Sequence, residues 1–364
     1  MTEAAPDDVV ATHAAAMGNA REPLLIVEPL RAFLDGHGLG AGDLRLAPIG
    51  EGHSNVTYLV ERDAGCELVL RRPPRGPLAP STHDVLREAR LLRALGDTAA
   101  RVPRVLAICA DAAVIGAPFY VMERVAGEVV TTELPAALDT PQQRRRCGEQ
   151  LVDALAEVHA VDWRARGLEG FSRDPGGYLE RQLRRFGGLW EHHRTRDIPA
   201  IEAVGAWLYD ERPPAGAATV VHGDYRLGNA IFSAAAPARL AAILDWEMAT
   251  IGDPLADVGY LCALWIERDD PHRGMFELSS VTRADGFPTR EQLVARYETA
   301  SGRAMPDIRW YRALALWKAA IFMEGNVRRA LAGSTDDPWL RGFGDGVVEL
   351  AERARELTLA SGPA

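Results

Sequence analysis

Lysine is almost absent from this chain, which carries 41 lysine and arginine residues but a single lysine, Lys318. The four cysteines are scattered, without the close spacing of a zinc cluster or a disulfide framework. The chain has no apolar run of the roughly 18 residues that cross a membrane, and its first residues lack the basic start and apolar core of a secretory signal. These absences argue against a metal-cluster protein and a membrane protein, so we expect a cytoplasmic protein.

The chain has fewer basic than acidic residues, and its net charge is −10. Nucleic-acid binding needs a basic face, so no nucleic-acid partner is expected. An acidic surface would suit a cationic small molecule, although an ordinary solvated surface has the same composition. The length of 364 residues exceeds one ordinary domain and fits two lobes.

The densest group of chemically active residues is Asp224, Asn229 and Asp245. The apolar runs Ala230–Phe232 and Leu240–Leu244 lie between the last two, and together they predict a hairpin that brings Asn229 and Asp245 to one end. A carboxylate that orients a hydroxyl, with an amide oxygen and a second carboxylate for magnesium, is the set that phosphoryl transfer needs. Asn and Asp also favour turns, so turn capping is the alternative.

These residues belong to a longer series of short motifs. His222-Gly223-Asp224 ends at Asn229, Asp245-Trp246-Glu247 follows, and Gly252-Asp253-Pro254 closes the series. The series resembles the signature of the aminoglycoside phosphotransferase and choline kinase family, whose fold is protein-kinase-like. The resemblance covers about residues 25–350, and it is nearest to the branch that includes kinase-like domains fused to acyl-CoA dehydrogenases.

The resemblance implies an ATP- and magnesium-dependent kinase of small molecules. By this similarity Asp224 would be the catalytic base, and Asn229 and Asp245 would be the magnesium ligands. Arg226 stands two positions after the base, where protein kinases keep a lysine, and would neutralise charge on the transferred phosphate. Glu247 stays open between a contact with a second metal and a surface role.

The implied fold class is α+β, with a small β-rich N-terminal lobe and a larger, mainly helical C-terminal lobe. We predict an N-terminal extension over 1–24, a nucleotide-binding lobe over 25–123, a catalytic and substrate lobe over 124–355, and a tail over 356–364. A buried-strand pattern ends at Glu123 and leads into a segment that matches the linker of kinase-like folds. The backbone of Glu123 and Val125 is therefore expected to receive the adenine.

A glycine-containing loop in the N-terminal half is a candidate phosphate-binding loop. Gly50 and Gly52 lie between two predicted strands, followed by Ser54 and Asn55. Glycines let a backbone approach a nucleotide closely, and loop amides can point at phosphate oxygens. An ordinary hairpin turn has the same composition, so it is the alternative.

Kinases normally hold the phosphates with a strand lysine that pairs with a helix glutamate, and this chain has no lysine there. Arg71, at the end of a predicted strand, is our candidate for that cation, with Glu88 as its partner on a helix capped by Ser81. Arg72 competes, but neighbouring strand residues point to opposite faces, so only one of them can serve. A solvated surface charge is the alternative for Glu88.

Several polar residues of the signature are predicted to be architectural. Asp253 would cap a helix and Asp257 would bond back to the catalytic loop, while His222 would brace that loop. His159 matches a recurrent family histidine and is predicted to be a satisfied core residue. Most aromatic residues after position 296 are assigned to packing, with a minority left for substrate contact.

The acceptor is a small-molecule hydroxyl whose identity the sequence leaves open. In the resembled branch it would be a hydroxyacyl-CoA-like thioester, with Lys318 or Arg328 meeting an anionic group, unless both lie on a solvated face. An aminoglycoside 3'-type phosphotransferase and a catalytically weak nucleotide-binding regulator are the alternatives. A protein kinase is disfavoured because no Asp-Phe-Gly or Ala-Pro-Glu landmark is present. No protein partner can be assigned.

Overall fold

The chain folds into two structural units. The computed structural model describes residues 8–19, 21–50, 55–76, 83–272, 277–333 and 343–360. One unit comprises the described residues up to Thr98 together with Val102–Ala126, and the other comprises Ala99–Arg101 together with the described residues from Gly127 onward. None of the described helices has both the length and the hydropathy to cross a lipid bilayer.

The first unit is built on a five-stranded antiparallel sheet, in which the strands lie in the order Arg45–Pro48, Val56–Glu61, Glu67–Arg72, Phe119–Glu123 and Val105–Cys109. Alternate residues of its central strands face one side, so Tyr58 pairs with Leu70 and Val60 pairs with Leu68 within the hydrophobic core. The described elements of this unit are β1 (Val9–Val10), α1 (His13–Met17), β2 (Leu25–Ile26), α2 (Val27–Gly36), β3 (Arg45–Pro48), β4 (Val56–Glu61), β5 (Glu67–Arg72), α3 (Val85–Leu95), β6 (Val105–Cys109) and β7 (Phe119–Glu123).

The segment predicted as an N-terminal extension is packed onto the first unit from residue 8 onward. Strand β1 pairs in parallel with β2, and the Asp8 carboxylate forms ion pairs with Arg21 and Arg75. The sequence reading missed this because the partner of Asp8 lies 67 positions away. The predicted extension over 1–24 is therefore, in its described part, a structured element.

Helix α3 begins later than its predicted cap. Its N-cap is Asp84, whose side chain accepts a hydrogen bond from the Arg87 backbone amide at 2.9 Å. Ser81, the predicted cap, lies outside the described residues. Both are cap-forming residue types a few positions apart, so propensity alone did not separate them. Glu88 lies on the buried face of α3 and is only 3% exposed.

The second unit is mainly helical, as the fold class predicted. Two small sheets accompany its helices: Thr250–Gly252 pairs with Thr219–Val221, and Ala230–Phe232 lies between Leu240–Ile243 and Glu128–Val129. The described elements are β8 (Glu128–Val129), α4 (Pro141–His159), α5 (Tyr178–His193), α6 (Pro199–Asp210), β9 (Thr219–Val221), β10 (Ala230–Phe232), β11 (Leu240–Ile243), β12 (Thr250–Gly252), α7 (Leu255–Leu264), α8 (Arg290–Ser301), α9 (Ile308–Leu331) and α10 (Phe343–Leu359).

The 24-residue helix α9 packs against α5, α6, α7 and α10. Its aromatic residues are mostly buried, as predicted, because a helix with neighbours on several sides needs apolar side chains around most of its circumference. Phe322 is the exception, since 53% of its surface is exposed. The buried members of this group are Trp310, Tyr311 and Trp317.

Helix α10 continues to Leu359, past the start of the tail predicted over 356–364. Val347, Leu350, Ala351 and Ala354 are buried at helical spacing, and α10 packs against α6 and α9. This apolar stripe extends the helix because the turns that follow it add backbone hydrogen bonds at little further cost. The predicted tail boundary is therefore too early for the described residues.

Arg72 is a buried cation that ties the sheet to neighbouring backbone. Its guanidinium donates hydrogen bonds to the carbonyl oxygens of Leu24, Pro73 and Ile115, and the residue is 2% exposed. Burial, the largest cause, lowers the pKa of Arg72. The side chain therefore satisfies three carbonyl groups inside the first unit.

We expect Arg72→Met to lower the free energy of unfolding by about 2–4 kcal/mol, because it leaves buried carbonyl groups without donors. Urea unfolding followed by circular dichroism measures the change. Arg90→Met is the matched control, since Arg90 is exposed on α3. Equal losses in the two variants would contradict a structural role for Arg72.

Candidate active site

The loop from His222 to Asp224 follows β9 directly, and its shape depends on a glycine. Gly223 has a φ of 87°, in the left-handed region that favours glycine. A Cβ at this position would lie 2.8 Å from the Met248 carbonyl oxygen, which is too close for any other residue. The close approach lets the chain turn sharply and present Asp224.

The buried carboxylate of Asp257, at the start of α7, fixes this loop. Its oxygens accept hydrogen bonds from the backbone amides of His222 at 2.6 Å and Gly223 at 2.8 Å. His159 Nε2 lies 3.2 Å from the same carboxylate, and His159 Nδ1 lies 2.8 Å from the Tyr297 hydroxyl. The predictions that Asp257 is architectural and that His159 is a satisfied core histidine are confirmed.

Burial by itself would raise the pKa of Asp257, but the hydrogen bond and charge of His159 and the hydrogen bond from the Gly223 amide outweigh it. The pKa therefore lies below its ordinary value. Asp253 differs: burial is the largest cause, and its pKa is raised. Its carboxylate accepts from the Leu255 amide at 2.9 Å and from the Tyr311 hydroxyl at 2.9 Å, which is an architectural role, although Pro254 and not Asp253 occupies the N-cap position of α7.

His222 braces the catalytic loop, as predicted. Its Nε2 lies 2.8 Å from the Leu244 carbonyl oxygen, and its Nδ1 accepts a hydrogen bond from the Asp224 amide at 3.2 Å. These partners fix the tautomer, because a carbonyl only accepts and an amide only donates. The Trp246 ring packs edge-on against the imidazole at 4.7 Å. Two motifs of the signature thus meet at one histidine.

Asp224 and Asn229 form the chemical centre of the loop. Asn229 Nδ2 donates to the Asp224 backbone oxygen at 2.9 Å and to Asp224 Oδ2 at 2.8 Å. The Arg226 guanidinium lies 3.8 Å from Asp224 Oδ1. Tyr260 lies on α7. Its burial, the larger cause, and the charge of Asp224 raise the pKa of Tyr260 well above its ordinary value. Asp224 is therefore oriented by Asn229, with a cation and a protonated phenol beside it.

The predicted hairpin is confirmed and places Asn229 opposite Leu244, the residue before Asp245. Ala230 pairs with Ile243 across β10 and β11, and the Leu244 amide donates to the Asn229 carbonyl at 2.7 Å. Asp245 follows at once, with φ and ψ both 64°. A non-glycine residue in the left-handed region is uncommon, and such strained residues cluster at functional sites.

The donor set at this end of the hairpin fits a magnesium ion. Both Nδ2 protons of Asn229 are directed at Asp224 acceptors, so the amide oxygen Oδ1 faces away from them. Asp245 adds a carboxylate. Mg²⁺ prefers oxygen ligands and commonly takes one or two from protein. Asn229 Oδ1 and Asp245 are therefore the atoms that could hold it.

Arg71 and Glu88 form an ion pair in the first unit. Arg71 Nε lies 3.1 Å from Glu88 Oε2, and both side chains are largely buried. Arg71 Nη1 also donates to the Thr57 hydroxyl at 3.4 Å. Arg72 points to the opposite face, where it bonds to backbone carbonyls. The expected contact between Arg71 and Glu88 is thus present, and the strand alternation assigned the two arginines to the correct faces.

The other predicted nucleotide contacts lie partly outside the described residues. Gly50 follows β3 with a φ of 83°, and Asn55 is 3% exposed, whereas Gly52 and Ser54 are not described. The Glu123 amide bonds to the Arg104 carbonyl at 3.0 Å.

The peptide groups of Val125 form no hydrogen bond with other residues in the described part of the chain. They are therefore the more suitable backbone groups for a base.

A narrow depression adjoins the catalytic loop within the second unit. Gly223, Asp257, Tyr260 and Lys318 are among the residues that line it. Tyr260 was not predicted from the sequence. It lies one helical turn after Asp257 on α7, and this spacing was the signal that could have identified it. Arg328, the other cation considered for the acceptor, donates to the His192 carbonyl.

A comparison with protein families matches residues 45–314 to the phosphotransferase enzyme family. The chain belongs to this family. Mouse acyl-CoA dehydrogenase family member 10 is 34% identical over 337 residues, which are 92% of this chain and 31% of that protein. The chain thus spans about a third of the length of this relative, and the match confirms the predicted branch.

Solved structures of phosphotransferases share the fold. A Ralstonia eutropha protein provisionally named an aminoglycoside phosphotransferase has a TM-score of 0.78 and 30% identity, covering 91% of this chain and 97% of its own. A thermostable mutant of aminoglycoside phosphotransferase APH(4)-Ia, in a complex with AMP-PNP and hygromycin B, has a TM-score of 0.54 and 18% identity, covering 92% and 100%. The predicted kinase-like α+β fold of this phosphotransferase is confirmed.

We expect Asp257→Ala to lower the free energy of unfolding by about 3 kcal/mol at pH 7, because two buried amides and His159 lose their acceptor. A carboxyl with a lowered pKa stabilises the fold above its unfolded pKa of about 3.9, and this contribution is lost as the pH falls further. Urea unfolding at several pH values should therefore show the loss shrinking below about pH 4. Asp269→Ala, at an exposed position, is the control.

Proposed function

We propose that this phosphotransferase is an ATP- and magnesium-dependent O-phosphotransferase that acts on a hydroxyl of a small molecule. The observation that carries the proposal is the fixed geometry of Asp224. Asn229 holds one carboxylate oxygen at 2.8 Å, and Asp257 fixes the loop behind it. A positioned carboxylate beside an oxygen-rich metal site is the arrangement that phosphoryl transfer requires.

Asp224 is the proposed general base. Its Oδ2 is engaged by Asn229, so Oδ1 is the oxygen that would accept the proton of the acceptor hydroxyl. The hydroxyl oxygen then bonds to the γ-phosphorus of ATP while the bond to the bridging oxygen breaks, and ADP leaves. Arg226, 3.8 Å from Asp224 Oδ1, would stabilise the negative charge on the transferred phosphoryl group.

Asn229 Oδ1 and the Asp245 carboxylate are the proposed magnesium ligands. When bound, the ion would neutralise phosphate charge and orient the phosphates for in-line transfer. The left-handed backbone at Asp245 supports the assignment, because it directs the residue out of β11 just beyond the hairpin pairing.

Two features of the first unit support nucleotide use. Arg71 carries a fixed positive charge oriented by Glu88, the arrangement of the usual lysine and glutamate. The peptide groups of Val125 are open for a base in the described part of the chain. The APH(4)-Ia structures with AMP-PNP and with ADP point to the same class of co-substrate. Gly50, Gly52, Ser54, Asn55 and Glu123 remain proposed contacts.

The proposed acceptor is a hydroxyacyl-CoA-like molecule, because mouse, human and Arabidopsis relatives are named as acyl-CoA dehydrogenases. An aminoglycoside is the second candidate, favoured by the name of the Ralstonia structure. Incubation of the full chain with ATP, magnesium and either a hydroxyacyl-CoA or an aminoglycoside, followed by detection of the phosphorylated product, decides between them.

We expect Asp224→Asn to reduce kcat by about 10²- to 10⁴-fold, because the amide cannot accept the hydroxyl proton. Product formation measured with labelled ATP tests this. The variant should fold normally, since an amide keeps the shape of the carboxylate. Asp269→Asn is the matched control at an exposed position. Undiminished turnover in Asp224→Asn would exclude this base, and nucleotide binding without turnover in the unaltered chain would favour a regulator.

We expect Asn229→Ala to raise the magnesium concentration for half-maximal activity by about 10-fold or more, because one ligand is lost and Asp224 loses its orienting amide. Magnesium titrations at saturating ATP measure this value. An unchanged magnesium requirement with reduced kcat would assign Asn229 to positioning Asp224 alone.

A further inference from the structure

Two positive charges lie at the ring of one buried aromatic residue in the second unit. Lys318 Nζ of α9 is 4.9 Å from the centre of the Phe186 ring, and Arg185 Cζ of α5 is 5.8 Å from the same centre. The ring attracts each cation, but the two cations repel one another. This pair of residues, Arg185 and Lys318, is called the cation pair below.

The cation pair has no carboxylate partner. Neither side chain forms an ion pair or a hydrogen bond within the part of the chain that the structure describes. Several partly buried arginines of the second unit are paired, for example Arg101 with Glu157, Arg283 with Glu277 and Arg290 with Asp270. Arg185 is exposed and water can solvate it, whereas Lys318 is partly buried and has lost part of that solvation.

The surroundings of Lys318 lower its pKa. Burial is the largest cause and the Arg185 charge the next, and together they lower this pKa to about 8, against the opposing charges of Asp257 and Asp224. Asp257 is already occupied by the loop amides and His159, and Asp224 by Asn229. Neither carboxylate forms an ion pair with Lys318.

The position of Lys318 connects the cation pair to the catalytic loop. Lys318 lines the same depression as Gly223 and Tyr260, and Gly223 precedes Asp224 in the chain. A molecule that enters this depression would therefore meet Lys318, and Arg185 lies at the same Phe186 ring as Lys318.

We infer that the acceptor is an anionic alcohol, whose carboxylate or phosphate group binds to Lys318 and Arg185 while its hydroxyl reaches Asp224. The inference rests on the proposed function and adds the charge class of the substrate. An anion placed between two cations removes their mutual repulsion and forms charge-assisted hydrogen bonds with both. A polycationic aminoglycoside would bring more positive charge to the same place and would be repelled.

The decisive experiment compares acceptors that differ in charge. Three probes are a hydroxyacyl-CoA thioester, the corresponding free hydroxy acid, and the neutral N-acetylcysteamine thioester of the same acid. The CoA thioester carries phosphate groups and the free acid carries a carboxylate, so the two probes distinguish the two kinds of anion. We expect the anionic probe that fits the site to have a KM at least 10-fold below that of the neutral thioester.

Variants of the cation pair should remove this preference. Lys318→Met and Arg185→Gln should each raise the KM for the anionic probe by about 10- to 100-fold, while the KM for the neutral thioester changes much less. Lys318→Arg should restore the preference, because it returns a cation. Arg184→Gln is the charge-matched control on α5, since Arg184 is exposed and pairs with Glu180. Equal effects on anionic and neutral probes, or equal effects of Arg184→Gln and Arg185→Gln, would overturn the inference.

The pH dependence supplies a second readout. Lysine is charged below its pKa, so the KM for the anionic probe should rise between pH 7 and pH 9 in the unaltered chain. It should stay flat in Lys318→Arg, whose guanidinium remains charged. Comparing the two chains cancels the pH dependence that they share. The phenols of Tyr178, Tyr260 and Tyr311 stay protonated, because burial raises the pKa of each.

A binding measurement separates this inference from the proposed function. Calorimetric titration of the anionic probe into the full chain loaded with AMP-PNP and magnesium needs no turnover. Binding that is lost in Lys318→Met, together with no phosphorylated product, would retain the anion site and reject the kinase assignment. Phosphorylation of an aminoglycoside in preference to all three probes would retain the kinase and reject the anion site.

Discussion

One buried carboxylate supports the loop that carries Asp224 in this phosphotransferase. Asp257 accepts hydrogen bonds from two consecutive loop amides and lies against His159, so the loop before Asp224 cannot move without exposing unsatisfied groups. The same constraint explains Gly223, because the turn brings its Cα under the Met248 carbonyl. The position of the loop that carries Asp224 therefore depends on a buried residue of α7.

The chemical part of the site could be predicted from sequence because it is local. Asn229 and Asp245 flank a hairpin, and pairing of adjacent apolar runs places them at one end whatever surrounds them. The contact between Arg71 and Glu88 was predictable for a related reason. Strand alternation left only one of two arginines facing the helix, and helical spacing placed Glu88 on the buried face.

Features that depend on distant partners were not predictable. Asp8 is held by Arg75, and α10 extends to Leu359 because its apolar face meets α6 and α9. Nothing in the local sequence near residue 8 or residue 356 indicates these contacts. The cation pair belongs to the same class, since α5 and α9 are more than a hundred residues apart in the chain. Propensity and spacing specify elements, whereas side-chain neighbours between elements come from packing.

The choice between lysine and arginine has physical consequences at two positions, Arg71 and Lys318. Arginine stays charged at any relevant pH and offers a planar fork of donors, so Arg71 can keep Glu88 and still present N–H groups to a phosphate. Lysine carries a compact charge whose pKa responds to its surroundings, and the one lysine of the chain stands where burial and Arg185 lower that pKa to about 8. An arginine there would remain charged beside Arg185 even without a ligand, at a constant electrostatic cost. With a pKa of about 8, Lys318 stays mostly charged at pH 7 and loses its proton at mildly alkaline pH, where its repulsion with Arg185 disappears.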